Sequence, residues 1–175
     1  LFVVKGIPEP APPPPPPTPL PGQKIDVGGY SLYIECVGSG SPTVVIEQGQ
    51  PRPPSEAMRS WLQAALAADT RVCWYDRAGV GESDPRPSSL APTGTTLSNE
   101  LRTLLLNANA PKPYVLAGMS FGGLPAVSHA IRYPSDFVGF VFLDGVTPWD
   151  IAAGGGDFSG DERVDLRTEL VELQS

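Results

Sequence analysis

Histidine is nearly missing from this sequence: His129 is the only one among 175 residues. With the two cysteines well separated at 36 and 73, that scarcity leaves no His/Cys cluster of the kind that ligates a metal, so no metal and no cofactor is implied. Basic residues are also few. Twelve Lys and Arg stand against 19 Asp and Glu, a formal charge of −7. This balance argues against nucleic acid or an anionic membrane surface as partner, because both require clustered positive charge. No run of 18 apolar residues occurs, so no transmembrane helix is expected within the chain. The sequence does not open on Met; Leu1-Phe2-Val3-Val4 reads equally as the stub of a removed signal peptide or anchor and as an arbitrary boundary.

Proline is abundant and concentrated. It dominates residues 8–21, including the unbroken run Pro12 to Pro17. Proline fixes φ and donates no backbone hydrogen bond, so residues 1–21 read as an extended polyproline II tether outside the folded part. A plain linker is the simplest role; a spacer from a membrane or cell wall, or a ligand for a proline-binding module, are the others. The tether and the non-Met start point to a secreted or membrane-tethered location, with a cytoplasmic one as the alternative. Cys36 and Cys73 would be buried thiols in a reducing compartment, whereas in an oxidising one they allow a disulfide.

From Gly22 onward the pattern becomes regular, and 41% hydrophobic residues suffice for one ordinary core. Residues 23–27 and 30–37 read as strands joined by the hairpin signal Gly28-Gly29. Residues 43–46 form a short β-branched run of the kind buried in a parallel sheet. Ser55 is placed to cap a helix whose buried face is Met58, Trp61, Leu62, Ala65 and Leu66. Residues 71–75 are the next strand, and Leu97, Leu101, Leu104, Leu105 and Ala108 mark a second helix. A strand over 114–117, a helix over 121–132 with Pro125 in its first turn, and an apolar strand over 137–143 follow. Strands alternating with helices predict an α/β domain over residues 22–147 with a largely parallel sheet.

Residues 148–175 differ. They are first glycine-rich and acidic, then carry Val164, Leu166, Leu170, Val171 and Leu173 in an amphipathic pattern with no helix stop signal. The apolar strand over 137–143 would be an exposed edge if it were the last one, so further sheet is expected beside it, from a second chain or a missing C-terminal half.

Gly118-Met119-Ser120-Phe121-Gly122-Gly123 directly follows an apolar strand. Small residues at Gly118 and Gly122 let the chain pass close to its neighbours while Ser120 is pushed outward. A serine hydroxyl needs a base within hydrogen-bond reach. His129 lies nine residues on along what reads as the same helix. That is roughly 13 Å along the axis, too far to take the proton. His129 is therefore read as an ordinary helix-surface or half-buried residue.

Four segments, in this order and spacing, resemble the α/β-hydrolase fold superfamily, particularly capped esterases, dehalogenases and proline iminopeptidase-like peptidases. They are residues 44–51 (VVIEQGQP), 75–84 (YDRAGVGESD), the Ser120 turn, and 140–145 (FVFLDG). The resemblance covers roughly residues 23–148 and implies the N-terminal portion of that fold: strands 1–6 of a mostly parallel sheet, helices on both faces, and the start of a cap at 148–175. It implies Ser120 as nucleophile and an oxyanion hole from the backbone N–H groups of Phe121 and Gln50. Gln48 stands where the family usually has His. Asp144 is a candidate acid, Asp150 and Asp157 weaker ones, and the histidine would come from sequence or a chain not present here. The Gly79-x-Gly81 turn after Asp76 lacks the third glycine and the helix start of a dinucleotide loop and reads as structural. The family's sheet order sets the second strand antiparallel beside the fourth, bringing Cys36 near Cys73 and leaving their bonding open, since neighbouring strands seldom suit a disulfide.

The expected function is thus a serine hydrolase of an ester or amide bond, with a small ester or peptide as substrate. The alternative is a non-catalytic α/β-hydrolase-like binding module.

Overall fold

The computed structural model describes residues 22–49 and 56–146. The proline tether, Gln50, Ser55, Asp150, Asp157 and the segment assigned to a cap all lie outside the described residues.

The described residues form six strands and three α-helices. They are β1 (Gln23–Asp26), β2 (Ser31–Val37), β3 (Thr43–Glu47), α1 (Glu56–Ala67), β4 (Val72–Tyr75), α2 (Gly94–Asn107), β5 (Tyr114–Met119), α3 (Gly123–Arg132) and β6 (Phe137–Leu143). A single 3-10 turn, Ser120–Gly122, joins β5 to α3. The sheet order is β1-β2-β4-β3-β5-β6. Strands β4, β3, β5 and β6 run parallel, while β1–β2 and β2–β4 are antiparallel. The parallel run is why the strand ends that follow β3, β4, β5 and β6 gather along one rim of the sheet.

The β1–β2 hairpin turns on Gly28 and Gly29, both at positive φ, with the Asp26 carboxylate accepting both amide protons at 3.0 and 3.1 Å. Strand alternation divides the core in two. Leu32, Ile34, Val45, Cys73, Tyr75, Tyr114 and Leu116 face α2 and α3, meeting Leu101, Leu104, Leu105 and Ala126. Val37, Ile46, Val72, Trp74 and Ala117 face the other way, toward Leu62, Leu66 and Ala67 of α1. The α2 stripe of Leu97, Leu101, Leu104 and Leu105 is buried as its spacing predicts, and Thr93 caps that helix, accepting from the Thr96 amide at 3.2 Å.

Helix α1 departs from its expected face. Met58, Trp61 and Ala65 are exposed, Trp61 by 59%, and Gln63 and Ala64 are buried instead. Arg59 supplies the reason. Its guanidinium lies 5.5 Å from the Tyr33 ring and 5.4 Å from the Trp74 ring, and is 3.4 Å from the Glu35 carboxylate. Turning Arg59 toward the sheet brings residues 62, 63 and 66 inward and rotates 58, 61 and 65 out.

Cys36 and Cys73 occupy directly opposed positions of β2 and β4 and form a disulfide, with Cα atoms 4.0 Å apart. The expectation that neighbouring strands seldom suit such a bond is overturned here by register, which sets the two side chains on the same face of the sheet.

Among the described residues β6 lies at one edge of the sheet. Val138 is 67% exposed, and Val141, Phe142 and Leu143 are also open to solvent, so this apolar strand is incompletely covered by the described residues.

Candidate functional site

The rim where the parallel strands end is built from glycine and charge. β5 leaves the sheet at Met119, and Ser120 follows at φ 48, a left-handed conformation that costs a non-glycine residue about 1–2 kcal/mol. The backbone around it allows no bulk. A Cβ on Gly118 would lie 2.8 Å from Gly123 Cα, and one on Gly122 would overlap the Glu47 carbonyl. Gly49 abuts the serine itself: a Cβ there would sit 3.0 Å from Ser120 Cβ and 3.6 Å from its Oγ. The Val146 amide donates to the Ser120 carbonyl at 2.8 Å, fixing the chain that leaves β6 to this turn. Ser120 is the exposed residue of the group, while Phe121 is half-buried and Gly122 buried. A serine hydroxyl in such a position acts as a nucleophile only where a proton acceptor lies within hydrogen-bond reach.

Beneath the turn lies a buried polar network that the sequence reading left without a role. Glu47, at the end of β3, has no exposed surface; its carboxylate accepts from the Tyr75 hydroxyl and pairs with Arg77. Burial pushes the Glu47 carboxyl up, while Arg77 and the Tyr75 hydrogen bond act against that shift. Burial and the neighbouring Glu47 charge push the Tyr75 phenol well above its ordinary value. The Arg77 guanidinium also donates to the carbonyl of Gln48 and, at 2.9 Å, to that of Gly49, and lies 5.3 Å from the centre of the Phe121 ring. A signal for this network was present: opposite charges ending two apolar strands, TVVIE and VCWY followed by Asp76-Arg77, which pair in parallel with Ile46 beside Trp74.

Asp76 is buried and ties its own turn to Gln48 and to Arg59 of α1, 3.6 Å away. Its carboxylate accepts from the Glu82 amide at 3.1 Å and from Gln48 Nε2 at 3.4 Å, and a Cβ on Gly81 would overlap it. No helix begins between Asp76 and α2, so the Gly79-x-Gly81 turn lacks the helix N-terminus a phosphate loop needs.

The remaining candidates are placed as follows. Asp144 leaves the end of β6 at φ 51 and is exposed; since Met119 pairs with Leu143, Ser120 and Asp144 emerge side by side from adjacent strands. Gln50 lies outside the described residues. His129 is elsewhere and is not a surface residue. It is fully buried between α2 and α3, its Nδ1 3.3 Å from the Ser98 carbonyl and its ring 5.2 Å from that of Tyr133. Burial lowers its pKa to about 4, with the Ser98 carbonyl and then Asp136 acting in the opposite direction. The expected half-buried position fails because α2 packs against this part of α3, which a helical pattern alone does not reveal. Among the described residues no group of three or more His, Cys, Asp or Glu is arranged to hold a metal ion, and no helix is long and apolar enough to cross a membrane.

Comparison with known proteins agrees with this architecture. The chain is 31% identical over 113 residues to a pimeloyl-[acyl-carrier protein] methyl ester esterase of Shewanella woodyi, covering 65% of this chain and 39% of that protein. It is 28% identical over 131 residues to a probable transporter of Hormonema carpetanum, covering 71% of this chain and 18% of that one. Among solved structures it resembles a bromoperoxidase from Bacillus anthracis (27% identity, TM-score 0.62) and an esterase from Exiguobacterium antarcticum (24% identity, TM-score 0.63). Each superposition covers 73% of this chain and 46% of the other. The chain thus spans less than half the length of the relatives it matches. The model of the alpha/beta hydrolase family matches residues 48–172, and the chain belongs to that family.

Proposed function

We propose that this chain carries the nucleophile of a serine hydrolase acting on an ester or amide bond. The observation that carries the reading is Ser120: an exposed hydroxyl at φ 48, on a turn where glycines on both sides leave no room for a side chain. In this reading Ser120 Oγ attacks the substrate carbonyl carbon as its proton passes to a histidine. The backbone N–H groups of Phe121 and Gln50 hold the carbonyl oxygen as it becomes negative. Collapse of that intermediate expels the alcohol or amine, which takes the proton, and water then hydrolyses the acyl-serine. Asp144 is the candidate to orient the histidine, because it leaves the sheet beside Ser120. The histidine comes from sequence or a chain beyond this one, since His129 is committed to the interior. Similarity to a protein named as a methyl ester esterase supports an ester as substrate.

Residues 148–175 begin a cap in this proposal, and further sheet from the same or a second chain covers β6. Expressed alone, the chain should therefore associate or aggregate; a soluble monomer with a cooperative melt would reject the covered edge. The Cys36–Cys73 disulfide supports an oxidising, extracytoplasmic location.

The buried state of the sole histidine favours a second reading, a non-catalytic binding module with the same fold. A serine-directed fluorophosphonate separates the two in the whole protein. Labelling that is lost in Ser120→Ala is the expected result; equal labelling of the alanine variant rejects the mechanism. A histidine encoded after a final strand downstream of codon 175 favours the enzyme.

A further inference from the structure

We propose that Arg77 is a positioning residue for the reaction assigned to Ser120, aiming the peptide that follows β3 toward the place where the oxyanion forms. The inference rests on the serine-hydrolase reading above. Arg77 is buried, and its one guanidinium touches the backbone after β3 on one side and a side chain of the Ser120 turn on the other. On one side it donates to the carbonyls of Gln48 and Gly49; on the other it lies against the Phe121 ring. A peptide group is planar and its N–H points opposite to its C=O. Anchoring the Gly49 carbonyl therefore fixes the plane of the peptide that begins there. Gly49 itself packs against Ser120, where an added Cβ would stand 3.0 Å from the serine Cβ.

The residue type follows from the task. Three acceptors, the Glu47 carboxylate and two successive carbonyls, converge on a single cation. A guanidinium offers five donors in a rigid fork, whereas an ammonium offers a compact charge on a flexible stem. Glu47 neutralises the buried charge and is in turn held by the Tyr75 hydroxyl, so the fork has little freedom to turn.

The test compares Arg77→Lys with Arg86→Lys in the whole protein. Arg86 makes an equally close two-pronged pair, at 2.6 and 2.7 Å, with the buried Glu100, and touches nothing at the Ser120 turn. Fluorophosphonate labelling is resolved into its maximal rate and its half-saturating concentration, and amide exchange is followed in peptides spanning residues 47–52. For Arg77→Lys the maximal rate should fall about 100-fold, the size of effect seen when one oxyanion donor is lost, with half-saturation changed less than about threefold. Exchange over 47–52 should rise. Arg86→Lys should keep both at wild-type values. An unchanged rate with unchanged protection in Arg77→Lys overturns the proposal, as does an equal loss in Arg86→Lys, which would mean general loosening. If Arg77→Lys does not fold, the paired change Glu47→Gln with Arg77→Gln removes both charges and should show the same rate loss. Failure of the serine reading is seen separately, as absent wild-type labelling or as labelling that survives Ser120→Ala. Exchange over 47–52 then still decides whether Arg77 holds this peptide, and unchanged protection overturns it.

Discussion

Gly122 stands so close to Glu47 that a single methyl group on it would overlap the Glu47 carbonyl oxygen. This contact sets the start of α3 directly on the end of β3, and it leaves no flexible atom to yield, because the obstructing atoms are backbone. Gly122→Ala should therefore cost about 3 kcal/mol, the upper part of the range for overpacking, and show as a lowered midpoint in chemical denaturation. A midpoint equal to wild type would mean the two segments are farther apart than described.

Ser120 holds a left-handed backbone that glycine adopts freely. Ser120→Gly should raise stability by up to about 1 kcal/mol even though it removes the hydroxyl. Ser120→Val should lower it, since a β-branched side chain is poorly accommodated at positive φ. Paired thermal melts check the sign of each change. The opposite order would show that the turn is not left-handed at this position.

The disulfide closes a separation of 37 residues between Cys36 and Cys73. On the chain-entropy account, a loop of that size is worth about 4 kcal/mol. Alkylation followed by intact mass should add no label before reduction and two labels after it, and the Cys36→Ser, Cys73→Ser double variant should unfold at markedly lower denaturant. Two labels without reductant would contradict the bond.

His129 makes stability depend on acid. Its folded pKa of about 4 lies below the ordinary 6.5, so the unfolded chain binds the proton first as pH falls. Stability from this group is fully present above about pH 6.5 and is lost progressively down to about pH 4. The shift corresponds to about 3 kcal/mol. His129→Gln should be less stable at neutral pH yet show a flatter dependence over that window, read from denaturation midpoints at several pH values. A variant with the wild-type slope would place the titrating group elsewhere.

Much of the site was legible locally. Gly118-x-Ser120-x-Gly122 after an apolar run marks a tight strand-to-helix turn, because glycine and positive φ are properties of single residues and their immediate neighbours. Arg77 and Glu47 were visible only as charges at the ends of apolar strands. Their meeting depends on β3 and β4 being paired, the partners standing 30 positions apart in the sequence.

The same division runs through the whole molecule. By itself the sequence determined the alternation of strands and helices, the hairpin at Gly28-Gly29 and the inward stripe of α2, since periodicity and turn preference act over a few residues. Only the tertiary structure decided which face of α1 is covered, that His129 is interior, and that Cys36 meets Cys73. Each of these is set by contact between elements distant along the chain. Arg59 turns α1 by stacking between rings from β2 and β4, and on the other face of the sheet α2 packs over His129 of α3.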